Sequence, residues 1–398
     1  MELTVERLSP RGEGLADGVT IPRTLPGETV EGAVEAGRMA APRILSPVAE
    51  RVRAPCPHYG ACGGCALQHG SDAFVAEWKA DRVIGALRAR GIDGEVARVR
   101  TSPPNARRRA TLSARRLKSG PIAGLHARAS DTVIRIPDCR LLLPSLIAAI
   151  PAAEAAAALG ASRKGELSVT LTDSEAGIDM AVIGGRDPGP GERAALAERF
   201  DLARLAWDDE VLTRRPPVQR FGTAAVVPPP GAFLQATREG EAALREAAVE
   251  GLEGCRRVAD LFAGCGTFAL PLAARAEVHA VEGEAAMLAA LDAGWRGGTG
   301  LRRVTVEARD LFRRPLRAEE LRDFDGVIMD PPRAGAEAQA RMLAEGGPGR
   351  VVMVSCDPAS FARDVSILAA GGYRMGPVTV VDQFRWSPHV EMVAMLTR

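Results

Sequence analysis

Three of the chain's seven cysteines fall in the ten-residue stretch CPHYGACGGC, from Cys56 to Cys65, with the spacing C-x5-C-x2-C. Pro57, Gly63 and Gly64 permit the tight backbone that three sulfurs need to reach one centre. Clustered thiols in a reducing compartment are more often metal ligands or catalysts than disulfides. A fourth ligand would come from Cys139, Cys255, Cys265 or Cys356, and Cys139, in IRIPDCRLL, has no other evident task. Four thiolates suit zinc or an iron–sulfur cluster. Zinc ribbons pair two C-x2-C knuckles, whereas three close cysteines with one remote partner are commoner for a cluster. The spacing therefore leans toward iron–sulfur and leaves structural zinc open.

A second set of reactive residue types lies in the last third. RRVADLF reads as a strand, AGCGT as a glycine turn, FALPLAARA as a helix and EVHAVEG as the next strand, while FDGVIMDPPR and GRVVMVSCD read as buried strands with polar ends. Alternating strands and helices predict an α/β fold with a parallel sheet covered on both faces, whose ligands bind at the carboxyl ends of the strands. Those ends carry Asp260, Gly264-Cys265-Gly266, Glu282, Asp330 and Cys356. Gly264, Gly266 and Ala269 fit a dinucleotide pattern, and Glu282 stands at the distance suited to a ribose. An NAD-binding iron–sulfur oxidoreductase is thus one reading. DPPR favours the other: a rigid edge with a carboxylate facing the reacting group is more expected beside S-adenosylmethionine than beside nicotinamide.

The elements that must position these residues divide the 398-residue chain into three regions. Residues 1–46 are short β-type runs broken by Gly and Pro, which suits a small barrel. Residues 47–227 hold the cysteine cluster and mixed α+β elements, among them helices at FVAEWKADRVIGALRARG and about 141–160 and strands at TVIRIP, ELSVTLTD and GIDMAVIGG. Residues 228–398 hold the alternating region, entered through PPPG. The amino-terminal stretch lacks an apolar run suited to a signal peptide, and no segment reaches the roughly 18 apolar residues of a membrane span, so a cytoplasmic protein is expected. The net charge of +1 announces no general basic field. ARRRATLSARRLKSG (106–120) is locally basic and could touch nucleic acid. Only three of the chain's 51 basic residues are lysine, however, so arginine richness by itself says little.

FLQAT (233–237), DLFAGCGTFALPLA (260–273), AVEG (280–283), DPPRAGA (330–336), VSCDPASFARD (354–364) and HVE (389–391) occur in the order seen in the RNA uracil-5 (5-methyluridine) methyltransferases, and from about residue 56 onward the chain resembles that family. With the cysteines it is similar to the iron–sulfur ribosomal RNA subgroup. GEGLADG and LPGE resemble a TRAM (OB-like) RNA-binding domain, here shortened. The resemblance implies a Rossmann-like class I methyltransferase domain and an α+β domain bearing a 4Fe-4S cluster on Cys56, Cys62, Cys65 and Cys139. It implies Cys356 as nucleophile and Glu391 as base. Gln235, Phe262, Thr267, Glu282, Asp310 and Asp330 would border the cofactor, and Phe233 and Asp330 the target base. Thr237 stands where the family usually has Asn. The implied reaction is methyl transfer from S-adenosylmethionine to carbon 5 of a uridine, through a cysteine adduct at carbon 6, by a monomer acting on large-subunit ribosomal RNA. The alternative is the same chemistry on transfer RNA. The ribosomal expectation rests on architecture, since the cysteine cluster and barrel are read as additions that transfer RNA enzymes lack.

Overall fold

The structure, a computed structural model, describes residues 1–398. Its largest sheet has nine strands. Val304–Ala308, Glu277–Glu282, Arg257–Leu261, Gly326–Met329 and Arg350–Ser355 run parallel in that spatial order. Glu391–Thr397 then pairs antiparallel with Arg350–Ser355 and with Val378–Asp382. Alternate residues of these strands face opposite layers: Val258, Ile328, Val352 and Val354 enter one core, and Ala259, Val327, Val351 and Met353 the other. A strand buried on both faces must be apolar at every position, which is why these segments read as unbroken hydrophobic runs. Chain order reverses at Arg257–Leu261, which has Glu277–Glu282 on one side and Gly326–Met329 on the other. That reversal opens the crevice in which ligands of such sheets bind.

A second sheet of seven strands contains Arg109–Leu117, Glu166–Ser174 and Gly177–Ile183, packed on the alanine-rich helix Ile150–Gly160. The helices expected about 141–160 form as Pro144–Ala148 and Ile150–Gly160, and TVIRIP shortens to the two-residue strand Val133–Ile134. The boundary expected at 227 is crossed by the chain. Helix Asp72–Arg88, capped by Ser71, buries Val83 and Leu87 in the core of the nine-stranded sheet, and Val96–Thr101 joins that sheet beside Val378–Asp382. The hairpin Gln219–Phe221 and Ala224–Val226 also packs there through Phe221 and Val226.

Residues 2–46 form two separate three-stranded sheets around a small core that includes Leu3, Val5, Ile21, Val30 and Met39. The cysteine segment is bonded to this unit. Tyr59 Oη lies 2.7 Å from His69 Nδ1, whose Nε2 lies 3.2 Å from the Thr24 carbonyl, and Arg23 Nη1 donates to the Gly60 carbonyl at 3.0 Å. No helix is long and apolar enough to cross a membrane.

Candidate active site

The carboxyl ends of the parallel strands face a cavity of about 1520 Å³. Cys356, Glu391, Phe233, Gln235 and Asp330 line it, and so do Phe262, Thr267, Glu282 and Asp310. Every residue implied as catalytic, cofactor-binding or base-contacting therefore faces one space. Strand pairing explains how Cys356 and Glu391 meet. Ser355 stands opposite Met392 in the antiparallel ladder, so the next residue out, Cys356, comes level with Glu391.

The electrostatics of this end are those of a buried acidic cluster. Burial pushes the Cys356 thiol up to about 12, helped by the Glu391 and Asp330 carboxylates. Glu391, 3% exposed and with Oε2 unpartnered, is held well above the usual carboxylate range by burial and then by Asp330. Asp330 is pushed up to about 7 by burial, against the pull of its hydrogen bond from Gln235 Nε2 at 3.1 Å. Asp260, fully buried behind them, is raised by burial and by Asp330. Negative charge is thus costly here, and a pocket of this kind favours groups that take and give protons.

The other end suits a nucleoside. Gly264 and Gly266 have φ of +54° and +95°, and a Cβ on Gly266 would come within 2.9 Å of Leu270 and Leu291, so the turn needs glycine. Phe262 holds φ of +63°, a strained value for an aromatic residue, and its ring lies 5.5 Å from that of Phe312. Glu282 accepts from the Gly264 and Glu284 amides at 3.0 Å, which fixes its carboxylate at the turn. These features fit S-adenosylmethionine: an aromatic wall for its adenine and an acid for its ribose hydroxyls. Asp310 accepts from the Phe312 and Arg313 amides at 3.0 and 3.3 Å, so it caps a turn while lining the cavity.

Thr237 caps helix Arg238–Gly251, its Oγ1 accepting from the Gly240 amide at 2.9 Å and meeting Ser102 Oγ at 2.7 Å. Capping is a task Asn shares, so the exchange keeps the helix start intact. Sequence reasoning missed Gln383, Phe312 and the pair formed by Arg333 Nη2 and His389 Nδ1 at 2.5 Å. The strand-end rule could have found Gln383, which follows Val378–Asp382 directly. Phe312 carries no such signal.

Four cysteines converge from two segments. The Cys65 thiol is pushed up to about 12 by burial, with Cys139, Cys62 and Cys56 each adding to the shift. Cys62 and Cys139 are raised for the same reason. Backbone amides already point at sulfur: Gly64 N lies 3.3 Å from Cys62 Sγ and Leu141 N 3.4 Å from Cys139 Sγ. No three ligating side chains stand at single-ion spacing. Four thiols with amides aimed at two of them are a donor set of the kind that suits either zinc or an iron–sulfur cluster. Cys255 and Cys265 are buried thiols outside this group, Cys265 donating to Met287 Sδ at 3.2 Å.

The basic run 106–120 does not form one RNA-facing patch. Arg108 is 2% exposed, pairs with Glu241 and donates from Nε to the Gln235 carbonyl at 3.0 Å. Arg109 donates to the Gly231 carbonyl at 2.9 Å, and Arg115 pairs with Glu166. Arg108 and Arg109 thus reach groups beyond their own sheet, while Arg115 pairs across strands within it, demands that composition does not display. Of the run's basic residues Arg107 lines the cavity, 5.8 Å from the Phe384 ring, and Arg11, Arg38 and Arg128 join it from other segments.

The family described as tRNA (Uracil-5-)-methyltransferase matches residues 301–398. An uncharacterized RNA methyltransferase of Mesorhizobium japonicum is 46% identical over 99% of this chain and 97% of its own. The 23S rRNA (uracil(1939)-C(5))-methyltransferase of Halomonas elongata is 33% identical over 99% of this chain and 89% of its own. Among solved structures, the Pyrococcus abyssi tRNA (uracil-54, C5)-methyltransferase in complex with S-adenosyl-L-homocysteine superposes with a TM-score of 0.77 over 100% of this chain and 99% of that one, at 22% identity. Its likeness is one of fold, and it spans the amino-terminal region too.

Proposed function

The chain belongs to the RNA uracil-5 methyltransferase family, and we propose that it methylates carbon 5 of a uridine in 23S ribosomal RNA through a covalent Cys356 adduct. The observation that carries this reading is the meeting of Cys356, Glu391, Gln235 and Asp330 at one cavity that also holds the nucleoside-binding turn. Phe262, Thr267, Glu282 and Asp310 would hold S-adenosylmethionine, whose sulfonium would supply the methyl group. Carbon 5 of uracil is too weak a nucleophile unaided. Cys356 Sγ, once deprotonated, adds to carbon 6, and the carbon 5–carbon 6 double bond opens into an enolate whose carbon 5 takes the methyl group. Glu391 then removes the remaining proton from carbon 5, the double bond re-forms, and the Sγ–carbon 6 bond breaks. The base must leave its stack to reach Cys356, and Phe233, 59% exposed at the cavity, offers it an aromatic face.

The ribosomal target rests on the Halomonas relative, named for 23S rRNA and 33% identical, against 22% for the Pyrococcus transfer RNA enzyme. The test offers the purified protein unmodified ribosomal and transfer RNA with radiolabelled S-adenosylmethionine. Label is expected in ribosomal RNA. Label in transfer RNA alone would overturn the target and leave the chemistry standing.

Cys56, Cys62, Cys65 and Cys139 would hold a 4Fe-4S cluster, joining the segment bonded to the amino-terminal unit to the turn at Cys139. Protein purified without oxygen is expected to be brown with about four irons per chain. Serine at any of the four positions should bleach the visible absorbance. One zinc and no iron would reject the cluster.

A further inference from the structure

Gln383, eight residues before Glu391 in VDQFRWSPHVE, is 1% exposed at the centre of the acidic cluster. Its Oε1 accepts from the Ala236 amide at 2.7 Å, its Nε2 donates to Gln235 Oε1, and Gln235 Nε2 donates in turn to Asp330 Oδ2 at 3.1 Å. Only one polarity of this chain is possible. A backbone N–H can only donate, so the Gln383 oxygen must face Ala236 and its nitrogen must face Gln235. The Gln235 oxygen is thereby spent, and its nitrogen is turned toward Asp330. The cavity wall then carries a donor, Gln235, beside an acceptor, Asp330.

Uracil presents the complementary pair, an acceptor at O4 beside a donor at N3. Cytosine presents the reverse at both atoms, a donor at N4 and an acceptor at N3. We propose that Gln383 is a positioning residue that locks the Gln235 amide in the orientation that accepts uracil and rejects cytosine. This rests on the uridine-methylating reading above.

The surroundings hold Gln383 rigid. Asp382 is clamped by the buried Lys79 ammonium at 2.5 Å, its carbonyl accepts from the Ser102 amide at 3.0 Å, and the Phe384 carbonyl accepts from Lys79 Nζ at 3.2 Å. A rotamer pinned on both sides in this way can set a partner's orientation. The charged groups around it are Glu391 and Asp330 on the cavity side, Lys79 and Asp382 behind, and Arg108 beneath Gln235.

Two variants test the assignment. Gln383→Met keeps length and loses the hydrogen bonds to Ala236, Gln235 and the Glu391 carboxyl, and Gln383→Glu keeps the acceptor and loses the donor until its carboxyl is protonated. Binding is measured in the Cys356→Ala background, with one RNA carrying uridine or cytidine at the target. Gln383→Met should lower the uridine-to-cytidine affinity ratio by roughly 10- to 100-fold, the discrimination carried by one bidentate base contact. S-adenosylmethionine affinity should not change, and melting temperature should fall by only a few degrees, the effect of leaving the Ala236 amide and the Gln235 carbonyl unpaired. With Cys356 present, Gln383→Glu should regain activity relative to the native chain as pH is lowered from 8 to 6, because the protonated carboxyl donates to Gln235. An unchanged affinity ratio, or a Gln383→Glu activity that does not recover at low pH, would overturn the positioning role. A native chain that methylates no uridine would instead overturn the functional reading beneath it.

Discussion

The Cys356→Ala protein is expected to bind S-adenosylmethionine as the native chain does, yet to methylate no uridine and form no covalent RNA complex. The cofactor end of the cavity is built from Phe262, Glu282 and the Gly264–Gly266 turn, on strands other than the one that delivers Cys356. Losing the thiol therefore leaves the methyl donor bound beside a uracil that cannot become an enolate. The expected loss in turnover is roughly 10,000-fold or more, the scale reached when a covalent nucleophile is removed. The thiol's elevated pKa, up to about 12 in the free protein, adds a second expectation: alkylation of Cys356 should be slow near neutral pH and should rise steeply in alkaline solution. Calorimetry reads cofactor binding, label transfer reads turnover and a denaturing gel reads the adduct. Turnover within about tenfold of native, a change of only 1.4 kcal/mol in the barrier, would remove Cys356 from the nucleophile's role.

Glu391→Gln should fail at the opposite end of the reaction. Addition of Cys356 and methyl transfer both precede proton removal, so the variant should methylate once and then accumulate as a protein–RNA adduct. Product release should slow by roughly 100- to 10,000-fold, the contribution of a positioned general base. The direction of the pH effect follows from burial. Glu391 is raised well above the usual carboxylate range, so lowering the pH protonates it and removes the acceptor that carbon 5 requires. Native adduct should thus resolve faster as pH rises through that elevated value, and the glutamine variant should show no such rise. Normal turnover without a stalled complex would reassign the base, with Asp330, pushed up to about 7, the next carboxylate at hand.

Much of the catalytic half was legible in local strings, because the information is itself local. The glycine turn at 264–266 is needed where φ is positive, the doubly buried strands must be apolar at every residue, and an α/β sheet exposes its strand ends to ligand. Those three rules place Asp260, Glu282, Asp330 and Cys356 at one edge from the sequence alone, and family resemblance adds Glu391 and the remaining site residues. The membership of Val96–Thr101 in the catalytic sheet was not legible. A six-residue strand carries no mark of its partner, which only the packing of helix Asp72–Arg88 into the core of the nine-stranded sheet, through its own Val83 and Leu87, selects. Arg108 reads in the sequence as one more surface cation, and the fold buries it because the Gln235 carbonyl and Glu241 need a donor between two sheets. Gln383 reads as an ordinary polar residue. Its task exists only where Ala236, Gln235 and Asp330, far apart in the chain, are brought within hydrogen-bond reach, since the polarity of an amide is decided by the donors and acceptors around it and not by its neighbours in sequence.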